Sequence, residues 1–491
     1  MQISRSQIPR EIIQVTDTLE KAGFEAWIVG GCVRDLFIGR KPKDWDITTN
    51  AKPEDIQALF ENTFYTNEFG TVGIVNEGVA DESLKIVEAT PYRTEGEYSD
   101  ARRPSSVVFS PHVEDDLKRR DFTINALAFN PSKGTLLDLY DGTGDMSKGV
   151  LKAVGEPQER FMEDALRILR AVRIAAELDF AIDPKTESAM EQCAKQLGKI
   201  SQERIRDEFV RIINSPQPKK ALELAQKLGI LSFIVPELEQ GRGVDQNQAH
   251  SFDVLEHNLR ALQHAADKNW SFIVRISALL HDIGKPASRR WSNEKHDWTF
   301  HGHEVVGARM TKVILQRLKF PRETIETVQN LVRWHMFFSD PDKVTLSAVR
   351  RIIRNVGREN IEYLVNLRVC DRIGTGRPKE QPFRLRKYQA MIEQALHDPI
   401  SVTMLEINGK QLMDVTRESP GPRLGWMLHA LLEEVIDDPS RNTLEYLGNR
   451  AKELSRLDDR ELLALGKEGK ERKEEAEQEN TKEIQKKYFV N

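Results

Sequence analysis

The stretch GGCVRDLFIGRKPKDWDITT, residues 30–49, decides how the first part of this chain folds. Its Gly30-Gly31 pair sits between the short apolar strand Ala26–Val29 and a helical pattern that begins at Val33. Backbone N–H groups left open at such a turn suit phosphate oxygens. Arg34, on the first helical turn, adds a charge-assisted contact. At the other end, a strand over Trp45–Thr48 sets Asp44 and Asp46 two residues apart and therefore on one face. Two carboxylates so placed can share Mg²⁺, which prefers oxygen ligands and keeps waters for substrate phosphates. A pair of such ions can activate a hydroxyl and hold a leaving pyrophosphate. Alone, D-x-D is an ordinary turn; the strand–GG–helix ahead of it is what narrows the reading.

Outward from this stretch, residues 1–150 read as a mixed α/β unit. Helical spacing over Glu11–Ala22 precedes strand-like pieces at Val72–Val75, Lys85–Thr90, Val107–Phe109 and Leu127–Phe129. Arg93–Pro111, polar and arginine-rich, reads as a loop. From about residue 157 the spacing turns helical and stays so, with Phe161–Ala176, Gln202–Ile213 and Ala221–Leu228 each predicted as one amphipathic helix. Pro216-Gln217-Pro218 and Gly241-Arg242-Gly243 break the run. Eight of the eleven histidines then fall between His250 and His335. Lys343–Lys387 follows with twelve basic residues against four acidic ones, and the last 35 or so residues are mostly charged.

A chain of 491 residues is too long for one core. With 39% hydrophobic and 30% charged residues it has a soluble, globular composition, and no apolar run approaches the ~20 residues that span a bilayer. No apolar segment follows Arg5 and Arg10, so neither a secretory signal nor a membrane partner is expected. Three scattered cysteines, Cys32, Cys193 and Cys370, argue against a disulfide framework and for a reducing, cytoplasmic setting. The net charge of −5 advertises no polyanion partner, so any contact with nucleic acid must come from local basic patches.

GG-x-VRD-x3-GR-x3-DWD resembles the head motif of the class II tRNA nucleotidyltransferases and bacterial poly(A) polymerases, in the DNA polymerase β superfamily. The resemblance runs from about residue 20 to 240 and resumes near the C-terminus. It implies that Asp44 and Asp46 are catalytic, Mg²⁺-binding carboxylates, that Gly31 and Arg34 touch the incoming nucleotide, and that Glu88, in KIVEAT, is a further carboxylate nearby. DLKRRDFTINALAF, residues 116–129, matches the family's RRD motif. There the resemblance implies a nucleotide contact for Arg120, with Asp121 and Asn125 organising the ribose and the turn.

ERFMEDALRILRAVRIAAEL, residues 159–178, carries E-D-x-x-R, the family's nucleotide-selecting motif. On a continuous helix Asp164 and Arg167 are i,i+3 neighbours, with Arg170 one turn on. An acceptor beside paired donors matches the edge of cytosine or adenine. Read blandly, the same spacing is an intrahelical ion pair worth about 0.3 kcal/mol. The resemblance implies Asp164, Arg167, Arg170 and Arg173 as nucleotide-binding. YRTEGEYSDARRPSSVVF, residues 92–109, resembles the loop that full CCA-adding and A-adding members keep and CC-adding members shorten.

VLEHNLRAL, ALLHDIGKP, FHGHEVVGA, RWHMFF and CDRIG resemble an HD phosphohydrolase domain. The implied ligands are His257, His281, Asp282 and Asp371, with His303 and His335 for a second metal. Imidazole with carboxylate suits Mn²⁺, Ni²⁺ or Fe²⁺. The basic stretch is suited to a tRNA backbone or to a solvated helical face. The segment from Glu406 to Asn442 resembles the family's C-terminal body, which holds the acceptor end of tRNA by shape and phosphates.

The expected architecture is an α/β, polymerase-β-like nucleotidyltransferase head over 1–150 followed by an all-α body. That body comprises a neck at 151–240, an HD-type helical domain at 241–380, a C-terminal helical domain at 381–455 and a charged tail at 456–491. The expected activity is template-independent addition of CCA to tRNA from CTP and ATP. The alternatives are an A-adding enzyme, a poly(A) polymerase, or an HD phosphohydrolase with a nucleotide-binding head. The sequence leaves the oligomeric state open.

Overall fold

The computed structural model describes residues 3–66, 70–95, 107–246, 251–337, 344–396 and 401–465. Residues 96–106 of the arginine-rich loop, Lys343 at the start of the basic stretch and the tail from 466 lie outside them. Among the described residues no helix is long and apolar enough to cross a membrane. The chain divides into two compact units: Met1–Glu239 with Arg317–Lys319, and Gln240–Gln316 with Phe320–Asn491.

The first unit is built on a seven-stranded sheet. Its strands are β1 (Ala26–Val29), β2 (Asp46–Thr49), β3 (Thr63–Tyr65), β4 (Val72–Val75), β5 (Ile86–Pro91), β8 (Leu127–Asn130) and β9 (Thr135–Asp138), in the order β3-β4-β5-β2-β1-β8-β9. Only β2 and β5 pair in parallel; every other neighbour is antiparallel. β1 is buried along its whole length inside the sheet, between β2 and β8. The Arg10–Lys21 helix buries Ile12, Val15, Thr16 and Leu19, the three- and four-residue stripe of an amphipathic helix. β3 and β9 are not legible in the sequence. Both sit on sheet edges, where half-exposed strands need little apolar content.

Two expectations need correcting. Within Arg93–Pro111 the expected strand at Val107–Phe109 (β7) is present, but it pairs with a strand not expected, β6 (Arg93–Glu95), Arg93 opposite Phe109. Nor is Phe161–Ala176 one helix. It is split into Pro157–Glu163 and Leu166–Leu178, with Asp164 extended at φ −142° and ψ 103°. The Asp164 carboxylate accepts the Leu166 backbone N–H at 3.1 Å, so a residue that favours caps over helix interiors starts a new helix here.

The second unit is helical. Helices Val254–Asp267, Phe272–Leu280, Leu346–Val356, Ile361–Gly374 and Phe383–Leu396 contribute to one core. Leu385, Tyr388 and Ile392 belong to it, so the Phe383–Leu396 helix, beyond the boundary expected at 380, packs with the histidine-bearing helices. A separate core spans Leu405 to Leu462. Arg350 donates to the Ile436 carbonyl at 2.9 Å, and Arg351 pairs with Asp437 at 2.6 Å, joining these cores.

Candidate functional sites

The turn after β1 is where the head site begins. Gly30 has φ +82° and ψ −136°, a backbone open to glycine and strained for other residues. A Cβ on Gly30 would lie 2.8 Å from Nη1 of Arg120 and 3.5 Å from Oδ2 of Asp46. The glycine therefore does two things: it makes the turn and leaves room for a guanidinium beside a carboxylate. Asp46 opens β2, opposite Val29 of β1 and Glu88 of β5. Asp44 stands just ahead of the strand and is exposed. Burial, reinforced by Asp44 and resisted by Arg120, pushes the Asp46 carboxyl up to about 7. Burial and Asp44 raise Glu88 as well. Asp44 and Glu88 thus both add to the rise at Asp46, which gathers carboxylates at the start of β2.

The arginines around this turn are held by buried acids. Asp116, with a fully buried side chain, receives Arg120 at 2.9 Å on one oxygen and Arg119 at 3.0 Å on the other. Burial pushes its carboxyl up, and the two guanidinium groups outweigh that and hold it down. Arg34 donates to Asn125 at 2.8 Å, Asn125 to Asp121 at 3.1 Å, and Arg170 to Asp121 at 2.8 Å. These bonds run from the turn helix to the Leu166–Leu178 helix. Asp121 is buried, yet Arg170 and Asn125 keep its carboxyl below the ordinary range.

The selecting motif is not arranged as an Asp164–Arg167 pair. Asp164 is instead gripped by Arg204, Nη2 to Oδ2 at 2.6 Å and Nη1 to Oδ1 at 3.2 Å. Arg167 is buried. It pairs with Glu163 at 2.6 Å and donates to the Arg160 and Arg119 carbonyls, each at 3.1 Å. Arg173 pairs with Glu208 at 2.8 Å and Glu177 at 3.1 Å. The helix break at Asp164 turns its side chain away from the i,i+3 position and towards the Gln202–Asn214 helix. Sequence reading misses Asp116, Arg204 and Glu208. For Asp116 the i,i+3 and i,i+4 spacing to Arg119 and Arg120 is a local signal; for the other two there is none.

In the second unit the histidine motifs converge. One ligand atom each from His257, His281, Asp282 and Asp371 lie within 4.8 Å of one another, as do those of Asp282, His303 and His335. All six residues are buried. Asp282 belongs to both groups: Oδ2 lies 3.0 Å from Nε2 of His257, and Oδ1 lies 3.2 Å from Nε2 of His303. His281, His303 and His335 each direct Nδ1 at the carbonyl three residues back, at 2.8, 2.7 and 2.6 Å. An Nδ1–H donated there leaves the Nε2 lone pair for a metal, the tautomer that metal-bound histidine requires. Gly284 makes the assembly possible, since a Cβ would fall 2.2 Å from the His303 carbonyl oxygen. Burial pulls His281 down, but Asp282 and Asp371 outweigh it and raise the imidazole to about 10. Lys285, absent from the sequence reading, contacts Oδ2 of Asp282 and Oε1 of Gln246, both at 2.6 Å.

Much of the basic stretch is spent internally. Besides Arg350 and Arg351, Arg354 pairs with Glu433, Arg358 donates to the Leu396 carbonyl and Arg368 pairs with Asp371. These contacts favour a structural role for that part of the stretch over a phosphate track.

Comparison with known proteins follows the same division. A family model described as poly A polymerase head domain matches residues 26–152. One described as a probable RNA and SrmB-binding site of polymerase A matches 179–241, and one for the HD domain matches 250–376. A CCA-adding enzyme of Ligilactobacillus salivarius is 32% identical over 452 residues, 91% of this chain and 98% of that protein. One from Leuconostoc mesenteroides is 42% identical over 258 residues, which covers 51% of this chain and 63% of that protein. Among solved structures, the Bacillus stearothermophilus CCA-adding enzyme in complex with CTP aligns with a TM-score of 0.67 at 26% identity. The alignment covers 91% of this chain and 97% of that one.

Proposed function

We infer that this chain, which belongs to the family of CCA-adding enzymes, joins CMP and AMP from CTP and ATP to the 3′ end of tRNA without a nucleic-acid template. The observation that carries this reading is the Gly30 turn, which seats Arg120 against Asp46 while β2 holds Asp46 opposite Glu88. In this reading Asp44 and Asp46 hold Mg²⁺, with Glu88 beside them. Bound there, the ion supplies positive charge to the triphosphate and acidifies the terminal hydroxyl. The backbone at Gly31, Arg34 and Arg120 receive the incoming nucleotide. The tRNA 3′-oxygen then forms a bond to the α-phosphorus, and pyrophosphate leaves. Asp164 offers an acceptor to the base, and Arg167 offers donors by exchanging its bonds to Glu163 and the backbone carbonyls. Arg170 and Arg173 complete the nucleotide-binding set by exchanging their pairs with Asp121 and Glu208.

Transcripts ending before CCA, after the first C and after CC, each given CTP and ATP singly and together, test this reading. The expected result is CMP addition followed by a single AMP. AMP on the CC-ended transcript alone would replace it with an A-adding enzyme, and a long A-tail on unrelated RNA with a poly(A) polymerase.

The shared ligand Asp282 favours a second reading beside the first. His257, His281, Asp282 and Asp371 would hold one transition metal, such as Mn²⁺, Ni²⁺ or Fe²⁺, and Asp282, His303 and His335 a second. Such a centre supports phosphoester hydrolysis. Metal-dependent release of phosphate from a phosphoester, unaffected by Asp46→Ala, is its test.

A further inference from the structure

The neck poses a chemical question. Cytosine and adenine present an amino group where uracil and guanine present a carbonyl oxygen. A carboxylate that only accepts hydrogen bonds welcomes the first pair and repels the second. A carboxylate that swings aside no longer meets a carbonyl oxygen with its own lone pairs and so can admit the second pair. Discrimination by Asp164 therefore depends on whatever holds its carboxylate in one place and one plane.

Arg204 is placed to do this. It sits on the Gln202–Asn214 helix, 40 residues from Asp164 in the chain, and meets both carboxylate oxygens with two parallel bonds of 2.6 and 3.2 Å. A third bond, from the Leu166 N–H at 3.1 Å, fixes Oδ1 from the backbone side. An ionised carboxylate has about four acceptor positions, so three bonds fix its orientation and leave room for one more donor. The two side chains are 27% and 17% exposed, enough for a nucleobase to reach the pair while the low-dielectric surroundings keep it strong. One turn along the same helix, Glu208 holds Arg173 at 2.8 Å and approaches Arg170 at 3.8 Å. The helix thus braces the selecting segment at two points.

We propose that Arg204 is a specificity-determining positioning residue. By clamping Asp164 as an oriented, acceptor-only carboxylate, it makes the enzyme reject UTP and GTP. The proposal rests on the reading of Asp164 as a base-contacting group. Its force falls on wrong nucleotides, because CTP and ATP supply the donor that a loosened Asp164 would still accept.

The test compares kcat/KM for CTP, UTP, ATP and GTP on tRNA ending before CCA and after CC. It uses the full-length protein and its Arg204→Ala, Arg204→Lys and Asp164→Ala variants, each checked by thermal melting. Arg204→Ala is expected to lose about tenfold or more of the CTP/UTP and ATP/GTP preference, largely through faster misincorporation of UTP and GTP. Arg204→Lys, which keeps the charge but not the paired bonds, should fall between Arg204→Ala and the parent. A merely structural role would lower all four nucleotides together and track the melting temperature. Unchanged preference in Arg204→Ala, with preference lost in Asp164→Ala, would overturn the role of Arg204 alone. Unchanged preference in Asp164→Ala would overturn the base-contacting reading and the Arg204 proposal together.

Discussion

The head and the HD region are both built around carboxylates suited to metal, and they are built on opposite plans. In the head, Asp44 is exposed, Asp46 is half-buried, every donor is an oxygen, and the surrounding charge comes from arginines. In the HD region, the six ligand-type residues are buried, imidazole nitrogens outnumber carboxylates, and backbone carbonyls orient three of the rings. The exposed Asp44 suits a cation that arrives with substrate. The HD groups are gathered in advance and suit a cation that stays. Burial and donor type, more than the number of carboxylates, separate a working site from a resident one.

The largest effect expected from breaking one plan without the other is that of Asp46→Ala. Nucleotide addition to tRNA should fall on the order of a thousandfold or more, because the transfer loses its charge-stabilising ligand. Metal bound at the HD groups, read by elemental analysis, should not change. Undiminished addition would remove the head assignment. The reciprocal variant, Asp282→Asn, should abolish metal retention after gel filtration, since both ligand groups share this side chain, and leave addition within about threefold of the parent. Metal retained in full would mean that Asp282 bridges nothing.

Gly30→Ala comes next. It forces a Cβ against Arg120 and a positive φ onto alanine, so addition should drop about ten- to a hundredfold by misplacement of groups near the reacting atoms. Gly284→Ala is its counterpart in the HD region, where the clash is with backbone and the loss should appear as metal content. If each glycine variant disturbs the other region's readout, the two sites are not independent.

The smallest effect is one of pH. Since the Asp46 carboxyl is pushed up to about 7 without metal, Mg²⁺ has to displace a proton from it below that pH. Apparent Mg²⁺ affinity in the addition assay should weaken by up to about tenfold per pH unit below 7 and level off above it. The same raised value means that the ionised form opposes folding. This contribution to metal-free stability therefore declines from about pH 4 to 7, and added Mg²⁺ should restore it. A flat Mg²⁺ dependence between pH 6 and 8 would contradict the placement of Asp46 among the other acids.

The sequence by itself determined the chemistry on offer: the glycine pair, the two aspartates, the RRD and E-D-x-x-R segments, and the order of the six histidine and aspartate residues of the HD region. These are legible because each is a local pattern of residue types, and local spacing is what a sequence displays. It determined the central strands and the helical body for the same reason, since burial writes apolar periodicity into them. Only the tertiary structure decided which charges meet. Asp164 went to Arg204 and Arg170 to Asp121, because a helix break reoriented one side chain and distant segments delivered the partners. It also decided that Arg350, Arg351 and Arg354 join two helical cores, a use that a count of positive charges does not reveal. Asp44, just ahead of β2, is near enough to help raise the carboxyl of Asp46. The burial of Asp46 and the arginine beside it are long-range facts, and they set how strongly its charge is felt.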